Sequence, residues 1–323
     1  MYFLQPSNIA LNLLLLFSLT ACQKPKLNIV TSKIAPPNQS NTKVSGKSVR
    51  IGILSIDSAV SVNERYQPLL DYLEQTIGRP FELVTLSQDS QFTEVKAGNL
   101  DFTTNNPLAA VQLRRLYDTE FLVTNSRPKT GTLFSALIIV KQNSDIKTLE
   151  DLRGKKVACV NFETAAAGCV FQIYHLQQQG INPFQDFAKF IENKSQDNIV
   201  LAVLNGTIDA GFIRTGQLEK MVEKGSIDRT NELRIIDRAE DNFPYAHTTS
   251  LYPEWPIAAL KNTDPELVRD VKQALLNIPP KHPALSAAKI ESFAPVENYA
   301  QLDRLIKNLR LKSWDTKQRI NSK

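Results

Sequence analysis

Polar side chains gather just past the apolar segments of this 323-residue chain. Ser55, Asp57 and Ser58 follow one such segment, and Thr104, Asn105 and Asn106 follow another. Asn161 and Thr164, then Asn193, Ser195 and Gln196, then Arg214 and Thr215, follow three more. Hydroxyls, amides and a guanidinium are the groups that hold an oxyanion, the guanidinium through a two-pronged contact. None of them is paired in sequence with the base or metal that would turn it into a catalyst. No Gly-x-Ser-x-Gly elbow, His-Glu-x-x-His, Walker loop or Gly-x-Gly-x-x-Gly occurs, and the three histidines, His175, His247 and His282, have no metal-ligand spacing. An enzyme is therefore not expected, nor a metal or a cofactor. Any one of these residues alone reads as a helix N-cap; together, recurring at one kind of position, they read as a binding site.

The elements that would position them alternate. Val49–Ser55, Phe81–Leu86, Asp101–Asn105, Glu120–Thr124 and Phe134–Lys141 read as strands. Between them, helices over Val62–Ile77 and Gln91–Ala97 stop at Gly78 and Gly98, and Pro107 opens a helix to Tyr117. The pattern restarts after a short helix capped by Thr148 and ended by Gly154. Strands are expected at Lys156–Val160, Ala188–Glu192, Ile208–Ile213 and Leu233–Ile236. Helices at Ala165–Gln179, Asn198–Asn205 and Gly216–Lys224 each end in a glycine. A strand near Pro256–Leu260 and helices at Pro265–Ile278, Leu285–Ile290 and Tyr299–Leu311 close the chain. Two such blocks predict an α/β protein of two lobes, with mixed, mostly parallel sheets covered by helices on both faces. In open α/β sheets ligands sit beyond the carboxyl ends of the strands, which is where the polar clusters fall.

A net charge of +5, 42% apolar residues and 22% charged residues describe an ordinary globular protein. No run of like charge points to nucleic acid. Residues 9–19 form an apolar run too short to span a bilayer, and Leu19-Thr20-Ala21-Cys22 follows it. That sequence resembles the lipobox of bacterial lipoproteins, which implies a signal peptide over 1–21, lipidation of Cys22 and anchoring of an exported protein to a membrane, in the periplasm or at the cell surface. The n-region carries no Lys or Arg, so an ordinary signal peptide, or an apolar helix with a chance cysteine, stays open. Residues 22–48, rich in Lys, Pro, Asn, Ser and Thr, read as a flexible tether. Cys159 and Cys169 fall at a strand end and in the first turn of the next helix. They are left as two buried free thiols or a disulfide. A free Cys169 thiolate at a helix start would be able to capture a thiol-reactive anion.

The segments VRIGILSID, RYQPLLDYLEQTIGRP, IKTLEDLRGKKVA, LAVLNGTIDAG and FAPVENYAQLDRL carry a resemblance to the phosphonate-binding-protein family of type II periplasmic solute-binding proteins. It covers about Val49 to Trp314. GFIRTGQLEKM and FPYAHTTSLYPEWPIAAL are also similar to members that form sensor domains of histidine kinases, here read as a stand-alone module. The resemblance implies lobe one over 49–133 and 245–323, lobe two over 134–244, two hinge crossings, and hinge closure on a small ligand. It implies a ligand set that, with the strand-end residues, comprises Asp57, Ser58, Asn106, Ser135, Thr164, Ser195, Arg214, Thr215 and His247, although His247 also reads as a satisfied hinge histidine.

Two positions depart from that family. Its hydroxyl cluster at the start of the helix after the second lobe's first strand is Ala165, Ala166 and Ala167 here, with only Thr164 left, and its Ser-His-Asp is Ser195, Gln196 and Asp197. Losing hydroxyl donors leaves the oxygens of a phosphoryl group unmatched in a dry cleft. An anion with fewer oxygens to satisfy, sulfur-containing or organic, is the expected ligand. The expected partner is the permease of an ABC importer; the alternative is a membrane sensor kinase. The protein is expected to be a monomer.

Overall fold

A computed structural model describes residues 46–56 and 58–311. Along the chain, β1 (Val49–Leu54), α1 (Ala59–Ile77), β2 (Phe81–Leu86), α2 (Ser90–Ala97), β3 (Phe102–Thr104), α3 (Pro107–Tyr117) and β4 (Glu120–Ser126) come first. There follow β5 (Leu133–Phe134), β6 (Ala136–Lys141), β7 (Lys156–Cys159), α4 (Phe171–Gln178), α5 (Pro183–Asp186), β8 (Lys189–Glu192), α6 (Gln196–Leu204), β9 (Ala210–Arg214), α7 (Gln217–Glu223) and β10 (Leu233–Ile235). The last are β11 (Tyr252–Pro253), β12 (Pro256–Ala259), α8 (Pro265–Leu276), α9 (Pro283–Ala288), β13 (Ser292–Ala294) and α10 (Ala300–Leu309).

The strands form two main sheets, in the orders β13-β4-β12-β3-β1-β2 and β10-β6-β9-β7-β8, and a small pair, β11-β5. Both sheets are mixed. In the first, β12 and β13 run against the other strands; in the second only β6 does. Strands of one direction therefore predominate in each, and the result is a two-lobed α/β fold. The chain passes from one sheet to the other near Ser135, where the expected strand over 134–141 changes partners: Leu133–Phe134 pairs with β11, and Ala136–Val140 with β9.

Local chemistry accounts for the elements. Ser58 caps α1 by accepting from Ser61 N–H, and Gly78 ends it in the left-handed region, at φ 77°. Val62, Tyr66, Leu69, Leu70 and Leu73 form its buried face, each large side chain contributing about 1.5–3 kcal/mol of transfer free energy. Asn106 caps α3 with Pro107 in its first turn. The helix expected over 165–179 begins instead with a π-turn at 166–170. The wider turn accommodates Gln172, fully buried, whose amide nitrogen lies within 3.0 Å of the carbonyls of Leu137, Ala167 and Ile213. Asp151, rather than Thr148, organises the short turn before Gly154: it accepts from the Lys147 and Thr148 N–H groups, and those bonds lower its carboxyl pKa.

One apolar core covers a face of the first sheet, with Ile51, Leu69, Phe102 and Val271. A second runs continuously from the first lobe into the next: Leu108, Val111 and Phe121 share it with Ile138, Phe171 and Phe212. A third, around Ile139, Ile199 and Met221, covers the far face of the second sheet. No helix among the described residues is long and apolar enough to cross a membrane. Cys22 and the apolar run before it lie outside the described residues.

Candidate functional site

A cleft of about 760 Å³ lies at the carboxyl ends of β1, β7 and β9. Its second-lobe wall is built from three pieces. The first is the π-turn after β7, where Ala165, Ala166, Ala167 and Gly168 face the cleft. The opening N–H groups of a helix have no acceptor within it, and the helix dipole makes that end positive. Gly168 packs closely: a Cβ there would stand 3.0 Å from Val160 Cγ2 and 3.2 Å from Gln196 Nε2, so both side chains would have to give. The second piece is the start of α6. Ser195 is its N-cap, and Gln196 Oε1 accepts from Arg214 N–H at 2.8 Å. The third is the end of β9, which delivers Arg214 and Thr215 to the cleft. Gln196 thus joins the π-turn, the α6 start and the Arg214 backbone in one wall.

The first-lobe wall carries Arg65 and Tyr66 from α1, Arg127 just past β4, and Glu254 and Trp255. Arg127 Nε stands 3.5 Å from Glu254 Oε2, and its Nη1 donates to Lys289 O at 3.0 Å. Burial works against the Arg127 charge, but the Glu254 carboxylate and the Tyr66 hydroxyl more than compensate, and its pKa rises. This cation is therefore already matched by a buried carboxylate. Burial also pushes the Tyr299 hydroxyl pKa up; this protonated group donates to Glu254 O at 2.7 Å and holds the hinge-side backbone.

The sequence-expected residues separate into groups. Ser195, Arg214, Thr215 and Asn106 line the cleft. Ser58 is outside the lining, its hydroxyl engaged as the α1 cap. Ser135 and His247 are buried in the crossing between the sheets. Ser135 Oγ is 2.7 Å from Thr249 O, and Thr215 Oγ1 donates to Ser135 O at 3.1 Å. His247 Nδ1 lies 2.8 Å from Thr249 O and its Nε2 3.0 Å from Asp241 Oδ2. It is a satisfied hinge histidine, clamping the returning segment. Thr164 bonds Gln88 and Asn161 rather than facing the cleft. Asp57 lies outside the described residues. Cys159 and Cys169 are joined by a disulfide; the free-thiol reading, and capture of an anion by a Cys169 thiolate, fall with it.

Arg65, Tyr66, Arg127, Glu254 and Trp255 were not among the expected residues, whereas Gln196, one of the strand-end candidates, does line the cleft. The strand-end rule would have found Arg127 had β4 been extended to Ser126. Trp255 and Glu254 stood unassigned within the quoted YPEWP segment.

This architecture, two α/β lobes around a polar cleft, is that of periplasmic solute-binding proteins. The chain belongs to the family of ABC transporter phosphonate periplasmic substrate-binding proteins, which it matches over residues 51–300; these are binding proteins, not enzymes. Among curated proteins it is similar to the tetrathionate sensor histidine kinase TtrS of Salmonella typhimurium, 27% identical over 265 residues, covering 80% of this chain and 43% of that protein. The chain thus spans less than half the length of that relative. Two solved structures share the fold. XAC2383 from Xanthomonas citri bound to ATP has a TM-score of 0.68 and 21% identity, covering 84% of this chain and 99% of that one. PhnD1 from Prochlorococcus marinus in complex with methylphosphonate has a TM-score of 0.68 and 17% identity, covering 82% and 98%.

Proposed function

We propose that this extracytoplasmic solute-binding protein captures a small sulfur oxyanion in the cleft and delivers it to the permease of an ABC importer. Arg214, Gln196 and the π-turn backbone would hold one anionic end, with Ser195 and Thr215 beside them. The observation that carries the reading is the second-lobe wall itself: a cationic side chain and a helix start meet where three alanines stand in place of hydroxyls. Backbone N–H groups and a guanidinium suit a diffuse anion, and a phosphoryl group would leave oxygens unmatched. Similarity to a tetrathionate sensor supports a polysulfur anion such as tetrathionate. Lipidation of Cys22 would hold the protein at the membrane, with the lobes divided as 49–133 plus 245–323 and 134–244.

That same similarity to a sensor kinase favours a second reading, in which the ligand-bound form is presented to a membrane histidine kinase. A permease and ATPase encoded beside this protein would support import; a kinase and response regulator would support sensing.

Titration calorimetry of the purified protein with tetrathionate, thiosulfate, sulfate, phosphate and methylphosphonate tests the ligand class. Tetrathionate or thiosulfate is expected to bind, and Arg214→Ala to weaken binding about 10- to 100-fold, the loss of a charge-assisted contact. Tight binding of phosphate or methylphosphonate with none of the sulfur anions would overturn the choice of anion.

A further inference from the structure

Three hydrogen bonds join the first lobe to a single loop of the second, from the turn before α2, the N-cap of α3 and α3 itself. Asn106 Nδ2 donates to Thr164 O at 2.8 Å, Gln112 Nε2 donates to Glu163 O at 3.0 Å, and the Thr164 hydroxyl meets Gln88 Oε1 at 2.7 Å. All three cross between the sheets, and two of the acceptors are backbone carbonyls. We infer that Gln88, Asn106 and Gln112 form a closure latch, which recognises loop 161–164 when the lobes meet and so sets the closed population.

Both halves of the contact are preorganised. On the second lobe, Asn161 Oδ1 accepts from Glu163 N–H at 3.1 Å and Thr164 N–H at 2.9 Å, and Phe162 N–H donates to Glu192 Oε1 at 2.6 Å. The Cys159–Cys169 disulfide bounds the same stretch. Asn161 Oδ1 is already occupied by two N–H groups, so the single Thr164 proton is best directed at Gln88. On the first lobe, Gln88 is the outer end of a chain of amides. Gln91 Nε2 reaches Gln88 Oε1 at 3.2 Å, Asn105 Nδ2 donates to Gln91 Oε1 at 2.9 Å, and Thr103 donates to Asn105 Oδ1 at 2.7 Å. Gln91, Asn105 and Thr103 are buried, so these groups are fixed in place by the β3 core.

The loop also leads directly into the cleft wall at Ala165–Gly168. Latch and ligand therefore act on one segment: whatever seats against the π-turn also brings 161–164 to the first lobe. Groups that stabilise only the closed form raise affinity by raising the fraction of competent protein. The inference rests on the two-lobed binding reading but on no particular anion.

Two isosteric changes test it. Asn106→Asp keeps the oxygen that caps α3, since Oδ1 accepts from Ala109 N–H, but turns the donor facing Thr164 O into an acceptor. Gln112→Glu does the same at Glu163 O. Genetically encoded spin labels at exposed Lys96 and Gln185 would report the inter-lobe distance of the full-length protein by pulsed electron resonance, with no ligand added. In N106D/Q112E the closed population is expected to fall at least about tenfold, with circular dichroism unchanged. Identical distance distributions in wild type and variant would overturn the latch. If the double variant fails to fold, Thr164→Val, which removes only the Gln88 link, carries the test: a smaller shift toward the open distance supports the latch and no shift overturns it. Because no ligand is present, a wrong choice of anion under the proposed function leaves this result untouched.

Discussion

The two lobes repeat one strand order, β2-β1-β3-β12-β4 in the first and β8-β7-β9-β6-β10 in the second, each with a reversed strand in fourth place. Their first helices nevertheless begin in opposite ways. In the first lobe Ser58 closes the start of α1 with its own hydroxyl. In the second, no side chain caps the π-turn at Ala165, and the turn faces the cleft under a disulfide. A helix start satisfied from within is a structural device; the uncapped one beside Arg214 is, under the proposed function, the end that meets an anion. The same topology thus carries two different helix starts, and the difference lies in a handful of side chains after equivalent strands.

The largest expected effect comes from the feature that only the second lobe has. Cys159→Ala with Cys169→Ala should cost about 2–4 kcal/mol, because the crosslink no longer restricts the unfolded chain. Calorimetric melting of the oxidised protein and the double variant measures it, and equal melting temperatures would mean that the Asn161 bonds hold the loop unaided. Next come two glycines on interior strands, Gly52 of β1 in the first sheet and Gly211 of β9 in the second. A Cβ on Gly211 would meet Ile199 Cγ2 at 2.5 Å, and one on Gly52 would meet Leu100 Cδ1 at 2.5 Å. A leucine tip can swing aside, whereas a β-branched Cγ2 is fixed by χ1. Gly211→Ala should therefore cost about 1–3 kcal/mol and Gly52→Ala less, read from denaturant midpoints; the reverse order would show the first lobe to be the less yielding.

The caps give a smaller contrast. Ser58 Oγ accepts at 3.1 Å and Ser195 Oγ at 3.4 Å. Ser58→Ala is expected to lose about 1 kcal/mol and Ser195→Ala less, by urea unfolding. The smallest effect is a pH dependence at the hinge. The Phe243 N–H bond, and then His247, lower the Asp241 carboxyl pKa below 3.8. A lowered folded pKa means that this stabilisation is present above the unfolded value and is lost as pH falls through the folded one. Melting temperatures of Asp241→Asn should accordingly fall less steeply than wild type below about pH 4. Parallel curves would remove the Asp241–His247 pair from the hinge's acid response.

Much of this fold could be read because its signals are local. Gly78 and Gly98 stop α1 and α2 in left-handed geometry, and Pro107 opens α3, as their backbone preferences require. Strand β13 escaped notice because it is three residues long with one buried side chain, Phe293. The cleft's second-lobe wall was partly legible, since Ser195, Arg214 and Thr215 follow apolar segments. Asn106 and Thr164 were read as ligand groups on the same rule, yet they meet partners on the opposite lobe, one of them a backbone carbonyl that leaves no mark in sequence. Ser135 and His247 were drawn to the site by the family resemblance. What placed them elsewhere is the packing of two crossing segments distant in the chain.

The first sheet is assembled from segments on either side of the second, β1 to β4 and β12 to β13, while β6 to β10 of the second are consecutive. A chain emerging from its amino end can therefore complete the second sheet early, but β3 and β4 stay without the strand that separates them until β12 arrives. In that interval the nascent protein presents unpaired strand edges of the kind that recruit other chains. Late closure by β12 and β13 makes these two strands the guardians of solubility, so deleting them should yield aggregated protein rather than a smaller folded one.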